Sequence, residues 1–165
     1  MNVDEILRQL NGEDVEFILI GGMNFLLRHV PELTFDVDVW VKDELDNLAR
    51  LNRALRRLGA EWGPSEEDWK PVSENNRWLL SQSVFCLTTQ YGALDIFREV
   101  LGLEGRFVEC RTRVIPSQTA GGAAFLAMSD EDMLACQLAL LPQHQKRRRI
   151  DVLLNAIAHS RTHIG

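Results

Sequence analysis

Three aspartates supply the chemistry that stands out in this chain of 165 residues. Asp36 and Asp38 lie in the run Phe35–Val41 (FDVDVWV), which alternates strictly and therefore predicts a β-strand. Residues two apart on a strand point to the same face, about 6.5 Å apart along it. Two carboxylates placed in this way can bracket a divalent cation, and hard oxygen ligands suit Mg²⁺, with Mn²⁺ as an alternative.

The other residues of this run predict how the carboxylates are held. Phe35, Val37 and Val39 share the opposite face of the strand and are expected to anchor it in the core. Trp40 shares the aspartate face, where it could stack on a base or pack under a loop. An anchored strand would hold both carboxylates rigidly.

The third carboxylate, Asp95, stands alone in the apolar run Ala93–Phe97 (ALDIF). A carboxylate in a buried strand costs free energy unless it has a partner. A salt bridge to Arg98 or Arg113 would supply one. If the two strands lie side by side, Asp95 instead completes a three-carboxylate metal site, where it could help to deprotonate an attacking hydroxyl.

Glycines and basic residues provide candidate phosphate contacts. Gly21-Gly22 follows a buried apolar run and precedes a predicted helix, so its backbone N–H groups could approach a phosphate. Thr34 could position a phosphate or simply begin the next strand. Lys146 opens the basic run Lys146–Arg149, which is either a phosphate or RNA contact or a solvated helix face.

Hydrophobic spacing predicts the elements that position these residues. Helices are expected at 3–10, 23–30, 45–58 and 130–141, with a last helix that turns Ile150, Leu153, Leu154 and Ile157 inward. Strands are expected at 15–20, 35–41 and 106–115, together with a hairpin of 83–90 and 93–99, while residues 60–78 form a loop. This order predicts an α+β fold with a small mixed sheet. One domain is expected over 1–165, with a core at 1–116 and a C-terminal strand and helices at 117–165.

Composition narrows the class of protein. Hydrophobic residues make up 45% of the chain and the formal net charge is −6, which favours a folded protein and disfavours broad electrostatic binding to nucleic acid. The three cysteines are widely spaced and predict reduced, mostly buried thiols. No apolar run is long enough to cross a membrane, and the N-terminus has no signal-peptide pattern, so a cytoplasmic protein is expected.

Taken together, the segments 15–22 (VEFILIGG), 34–38 (TFDVD) and 94–96 (LDI) resemble the polymerase-β-like nucleotidyltransferase superfamily. The likeness is greatest to its small bacterial branch of minimal nucleotidyltransferases and abortive-infection type II toxins. The resemblance implies a palm-like fold with C-terminal helices. It implies metal-dependent transfer of a nucleoside monophosphate from a triphosphate such as ATP to a hydroxyl of RNA, protein or a small molecule. A toxin–antitoxin or phage-defence role, with a cognate antitoxin or partner protein, follows by the same analogy.

The resemblance also implies residue roles, with two departures. Gly21 and Gly22 would form the triphosphate-binding turn, and the three aspartates would hold the metal. Many relatives carry a serine where Gly22 stands, and toxin-like relatives often carry a lysine where Gln137 stands. Lys146 or an arginine of the basic run could compensate. A degenerate module that binds nucleotide or protein without turnover is therefore the alternative, and a purely structural subunit is a third.

Overall fold

The computed structural model describes residues 1–162, which form one eight-stranded sheet with helices on both faces. The helices are α1 Val3–Gly12, α2 Gly21–Arg28, α3 Leu45–Arg57, α4 Phe107–Arg111, α5 Asp130–Ala139 and α6 Arg147–Thr162. The strands are β1 Phe17–Ile20, β2 Asp36–Val41, β3 Glu61–Trp62, β4 Lys70–Pro71, β5 Val84–Thr89, β6 Gly92–Phe97, β7 Ile115–Gln118 and β8 Ala124–Ala127. Over the described range, no helix is at once long and apolar enough to cross a membrane.

The sheet is mixed, with strand order β4-β3-β5-β6-β2-β1-β8-β7. Strand β2 runs parallel to β6, and β1 runs parallel to β8, whereas the other neighbours are antiparallel. The prediction of an α+β fold with a mixed sheet is confirmed. The parallel pairing of β2 with β6 matters most here, because these two strands carry the three aspartates.

Two apolar cores lie on opposite faces of the sheet. On one face, α1 and α3 bury leucines such as Leu7 and Leu51 against the strands. On the other face, residues from α4, α5 and α6 surround Trp40, which is 1% exposed. Asp36 and Asp38 share this second face but remain only partly buried. The helices of the second core therefore leave the aspartate end of β2 open.

Side-chain caps begin two of the α-helices. Asn2 accepts a hydrogen bond from the Glu5 backbone N–H at 3.2 Å, at the start of α1. Ser129 accepts one from the Asp132 backbone N–H, also at 3.2 Å, at the start of α5. Each cap satisfies a backbone donor that has no partner within its helix.

Phe35 and Leu154, which were predicted to face the core, are exposed instead, as is Leu45 at the start of the predicted helix 45–58. Phe35 is 76% exposed because it precedes β2, which begins at Asp36. Leu45 is 68% exposed at the first position of α3. Leu154 is 50% exposed on α6, where its neighbour Leu153 faces the core and leaves Leu154 turned about 100° away around the helix.

The predicted strand at 106–115 is wrong. Its first part is the short helix α4, in which Phe107 and Cys110 are buried at helical spacing. A strand does follow, but it is β7, which contains Pro116 instead of ending before it. Strand β7 is the last in the sheet order, and proline is tolerated on an edge strand, where its missing N–H costs no ladder hydrogen bond.

The segment predicted as a loop at 60–78 is partly ordered into β3, β4 and two 3₁₀ turns. Asn52 of α3 ties it to the core. Its amide donates to the carbonyl oxygens of Ser73 and Glu74, both at 3.0 Å, and accepts from the indole N–H of Trp78 at 2.8 Å. Buried polar groups without partners are costly, so this network positions the segment along the end of the sheet.

Candidate metal and phosphate site

The three aspartates converge on one point of the sheet. The parallel register pairs Asp38 on β2 directly with Asp95 on β6, and Asp36 lies two residues earlier on the same face as Asp38. One carboxylate oxygen from each of the three lies within 4.8 Å of the others. Within residues 1–162 this is the group of acidic, histidine or cysteine side chains that could hold a metal ion. The predicted convergence is confirmed.

Burial and mutual repulsion change the ionisation of these groups. Burial, followed by the charges of Asp36 and Asp95, raises the pKa of Asp38 to about 7. Burial also raises the pKa of Asp95, and the charge of Asp36 adds to this effect. Carboxylates that repel one another in a half-buried site are stabilised by a cation of two charges, which makes this donor set suited to Mg²⁺ or Mn²⁺.

Asp95 does not form either of the salt bridges that the sequence left open. Arg98 pairs with Asp43 at 2.8 Å, and Arg113 pairs with Asp132 at 2.7 Å. The contact of Asp95 is instead with Cys86 on the neighbouring strand β5, whose thiol lies 3.4 Å from a carboxylate oxygen.

The Cys86 thiol remains protonated at neutral pH. Partial burial of the thiol, together with the charge of Asp95, raises the pKa of Cys86 to about 11. The thiol can therefore donate a hydrogen bond to that carboxylate. Cys86 is also exposed, which corrects the prediction of mostly buried thiols, although Cys110 is buried. All three cysteines are free.

The glycine pair forms a corner against Asp38, where β1 ends and α2 begins. Gly21 has a φ of +65°, and a Cβ built on it would lie 2.0 Å from an oxygen of Asp38. The backbone N–H of Gly22 donates to the same carboxylate. The open end of α2, which carries unpaired N–H groups and a partial positive charge, thus faces the aspartates.

Thr34 connects this corner to the aspartates. Its hydroxyl donates to a carboxylate oxygen of Asp36 at 3.2 Å and lies 2.9 Å from the position of a Cβ on Gly22. Thr34 precedes β2 and orients one of the candidate ligands, as the outer partners of metal ligands commonly do.

The basic run divides into two parts. Arg147 and Arg148 are exposed, as a solvated helix face would be, whereas Lys146 and Arg149 turn toward the glycine corner and pair with Glu32. Burial raises the pKa of Glu32, but hydrogen bonds from Arg149 and Lys146 outweigh it and lower the value overall. Two cations thus stand beside the corner.

Gln137, at the position where the resemblance leads one to expect lysine, has a structural role. Its side-chain oxygen accepts a hydrogen bond from the backbone N–H of Lys146 at 3.0 Å. This contact fixes the chain just before α6 begins at Arg147. Lys146 lies at the end of the connection into α6, and Arg149 lies in α6. Both cations are therefore supplied by this part of the chain and not by α5.

The glycine corner, Asp36, Asp38 and the two cations line one open cleft of about 510 Å³. Its walls are formed by Gly21, Gly22, Leu33, Thr34, Phe35, Asp36, Asp38, Gln137, Leu140, His144, Lys146 and Arg149. A second hollow of about 340 Å³ lies over β5 and the segment after β3, and includes Cys86 and Trp69. A larger groove of about 750 Å³ opens near Phe17 at the other end of β1, away from the aspartates.

The tryptophans divide between core and surface. Trp40 packs edge-on against Phe107 with ring centroids 5.2 Å apart and is buried, so it is not available to stack on a base. Trp62 and Trp78 stack on each other at 5.4 Å and pack against the core. Trp69 lines the second hollow.

The sequence and fold of this chain can be compared with those of known proteins. No family model matches the chain, and no curated protein matches it. Among solved structures, the chain is similar to TM1012 from Thermotoga maritima, which is described provisionally as a nucleotidyltransferase. The two chains are 13% identical with a TM-score of 0.38, and the match covers 79% of this chain and 65% of TM1012. The chain is also similar to the antibiotic-resistance factor ANT(2″)-Ia, with 12% identity, a TM-score of 0.49, and coverage of 98% and 92%.

With TM-scores of 0.38 and 0.49, neither similarity carries an argument about this chain. The chain spans about two thirds of the length of TM1012, with the match covering 65% of that protein. Identities of 12% and 13% do not carry over a substrate or a catalytic residue. What the site does chemically therefore follows from its own residues.

Two residues of the site were missed from the sequence. Cys86 was missed because a turn at Tyr91-Gly92 would place it opposite Phe97, whereas the chain turns at Gln90-Tyr91 and pairs Cys86 with Asp95. Glu32 had no comparable signal, because its partners lie 114 and 117 residues further along the chain. Only the packing of α6 against the glycine corner brings these groups together.

Substitution of Gly21 by alanine is expected to disrupt the site locally. The added Cβ would overlap the Asp38 carboxylate, and the φ of +65° is unfavourable for any residue with a side chain. We expect a loss of about 1–3 kcal/mol in the free energy of unfolding and a loss of nucleotide binding. Urea denaturation and calorimetric titration measure the two effects. Gly105→Ala is the control, since Gly105 also has a positive φ but a Cβ there meets nothing within 4 Å.

Proposed function

We propose that this chain is a divalent-metal-dependent nucleotidyltransferase that moves a nucleoside monophosphate from a nucleoside triphosphate to an acceptor hydroxyl. One observation carries the proposal. Three carboxylates lie within 4.8 Å of one another, beside a helix N-terminus that begins with two glycines. Paired cations line the same cleft. A binding surface for a protein partner would have no need of this convergence of like charges, which costs stability without a cation.

The aspartates fit the metal that this reaction needs. Asp36, Asp38 and Asp95 would hold Mg²⁺ or Mn²⁺ through carboxylate oxygens, the ligand type that both ions accept. When bound, the ion would neutralise phosphate charge and favour ionisation of the attacking hydroxyl. The Thr34 hydroxyl orients Asp36, and the Gly22 N–H orients Asp38, so the ligands are held before the metal arrives.

The triphosphate would bind at the glycine corner. The N-terminal N–H groups of α2 and the positive end of its dipole suit phosphate oxygens. Lys146 and Arg149 would contribute the two positive charges on the other wall of the cleft. ATP is the first triphosphate to test.

The acceptor would approach from the opposite side. Along the sheet, the glycine corner at β1 is followed by Asp38 on β2, Asp95 on β6 and the second hollow beside β5. In an in-line transfer, the bond from the acceptor oxygen to the α-phosphorus forms as the bond to pyrophosphate breaks. Asp95 is placed to accept the hydroxyl proton and to pass it to solvent, and its raised pKa suits a base.

The acceptor class is an RNA end, a protein side chain or a small hydroxylated molecule. The hollow of about 340 Å³ is of a size that takes a side chain or a small molecule. A toxin–antitoxin or phage-defence setting, with a cognate antitoxin, rests on the sequence resemblance alone. Growth arrest on expression that requires Asp36 and Asp38 would support it.

A labelling assay tests the proposed activity. The protein is incubated with each α-³²P-labelled nucleoside triphosphate, Mg²⁺, and a mixture of total RNA and protein. We expect a labelled product that is absent from the Asp36→Ala/Asp38→Ala variant. Nucleotide binding without product from any acceptor would support the degenerate binding module, which the structural use of Gln137 motivates.

A further inference from the structure

The connection between α2 and β2 inserts an acidic side chain between the two cations of the cleft. Glu32 accepts a hydrogen bond from the Lys146 ammonium at 2.7 Å and from Nε of Arg149 at 3.2 Å. The Nη2 group of Arg149 also donates to Glu32. Both oxygens of this carboxylate are therefore engaged by the groups proposed to take phosphate.

The position of Arg149 makes this contact relevant to ligand binding. The residue is 5% exposed, and its guanidinium lies 5.2 Å from the ring centroid of Phe25, which restricts its movement. A Cβ built on Gly22 would lie 3.5 Å from Nη2 of Arg149, so the guanidinium stands beside the glycine corner. Guanidinium binds carboxylate and phosphate through the same paired N–H groups. The Glu32 carboxylate thus occupies an anion position beside the cleft, in a hollow of about 190 Å³ that shares Lys146 and Arg149 with it.

We propose that Glu32 is an intramolecular counter-anion that a polyphosphate must displace from Arg149 and Lys146. The inference rests on the proposed function, because it concerns the same phosphate end of the site. A carboxylate left between the two cations would repel the incoming phosphates. It would also halve the net positive charge that they meet, from +2 to +1. Binding is therefore an exchange of one anion for another.

The connection is built to allow the exchange. Leu33 and Phe35, which flank Thr34 on the same connection as Glu32, are each 76% exposed. Segments with few buried apolar contacts open at low cost in free energy. The Lys146 side chain is 55% exposed and can turn toward a phosphate while Glu32 withdraws. Glu32 thereby sets how tightly the cleft holds its nucleotide.

Calorimetric titration with inorganic tripolyphosphate, without metal and at fixed ionic strength, tests the exchange. Glu32→Gln removes the charge but keeps a side-chain oxygen that can accept from Arg149. We expect it to bind tripolyphosphate about tenfold more tightly than the wild type, since one unit charge close to the ligand is removed. Glu32→Asp keeps the charge but shortens the reach, and we expect a smaller gain.

Glu13→Gln is the matched control. Glu13 also pairs with two arginines, Arg53 at 2.8 Å and Arg57 at 2.9 Å, and its side chain is 8% exposed, but these partners lie in α3 and do not line the cleft. We expect its affinity for tripolyphosphate to equal that of the wild type. Thermal melting of each variant verifies that it is folded.

The outcomes separate this inference from the proposed function. Equal or weaker binding by folded Glu32→Gln overturns the exchange and makes Glu32 a residue that merely positions the cations. Absence of tripolyphosphate binding in the wild type and both Glu32 variants overturns the exchange and the phosphate end of the proposed function together. Tighter binding by Glu32→Gln, in a protein that yields no labelled product with any nucleotide, supports the exchange and rejects the enzyme.

Discussion

Asp95→Asn is expected to lower the rate of nucleotidyl transfer by about 10³-fold, the effect of removing a general base, while nucleotide binding is largely retained. Asparagine has the same shape as aspartate and can still accept the hydrogen bond of the Cys86 thiol. It has no charge to hold a metal and no basic oxygen to take a proton. The glycine corner and the cations lie on the other side of Asp38 and are unchanged.

The measurement is a steady-state rate with labelled nucleotide, together with the dissociation constant of the nucleotide. Asp43→Asn is the matched control. Asp43 follows the same strand as Asp38 but at its far end, where it pairs with Arg98 at 2.8 Å. We expect this control to keep full activity. An Asp95→Asn variant that transfers nucleotide at the wild-type rate would remove Asp95 from the chemistry.

The second large effect is a gain in stability on replacing Asp38, in the protein without metal. The pKa of Asp38 is raised from 3.8 to about 7 in the folded protein. The folded state therefore binds this proton more tightly than the unfolded chain. Below pH 4 the group is protonated in both states and costs nothing. As the pH rises from about 4 to about 7, the free energy of unfolding falls, by about 4 kcal/mol for a shift of this size.

Asp38→Asn does not titrate at this position and should escape the loss. With EDTA present, we expect the variant to be more stable than the wild type at pH 8 and to be similar to it at pH 4. Urea denaturation at the two pH values measures the difference. Adding Mg²⁺ at pH 8 should stabilise the wild type and not the variant, because only the intact site binds the ion. A variant that is less stable than the wild type at pH 8 with EDTA would contradict the expectation.

These two results would show that Asp38 lowers the stability of the metal-free protein and is also needed for stabilisation by Mg²⁺. Asp38 destabilises the empty fold because burial and two neighbouring carboxylates oppose its charge. Under the proposed function, the same confinement would favour the binding of a doubly charged ion. Side chains that lower the stability of the free protein but stabilise its complex with a ligand are typical of functional sites.

Local patterns in the chain predicted part of the geometry of the candidate metal site. Alternation in 35–41 placed Asp36 and Asp38 on one face, because side chains on a strand alternate with a period of two. The hairpin of β5 and β6 was also predicted, but around Tyr91-Gly92, whereas the observed register places the turn at Gln90-Tyr91. These predictions depend on a few neighbouring residues, which is the range over which backbone geometry acts.

Local patterns failed where burial depends on distant partners. Phe35 and Leu154 were expected in the core but are exposed, because periodicity alone does not show which positions of an element are covered. The run at 106–115 was read as a strand although it begins with α4. In that case tertiary packing of Phe107 against Trp40 decided the element.

The amino-acid sequence by itself determined which groups are available: three aspartates, two glycines at a strand end and a run of basic residues. The tertiary structure alone decided that β6 lies parallel to β2 and that α6 brings Lys146 and Arg149 to the glycine corner. It also placed Glu32 between those cations. The physical reason is that ion pairs and strand pairings form between groups more than 50 residues apart, as in the pairing of Asp38 with Asp95. Such contacts depend on how the whole core packs, and no local pattern in the chain encodes them.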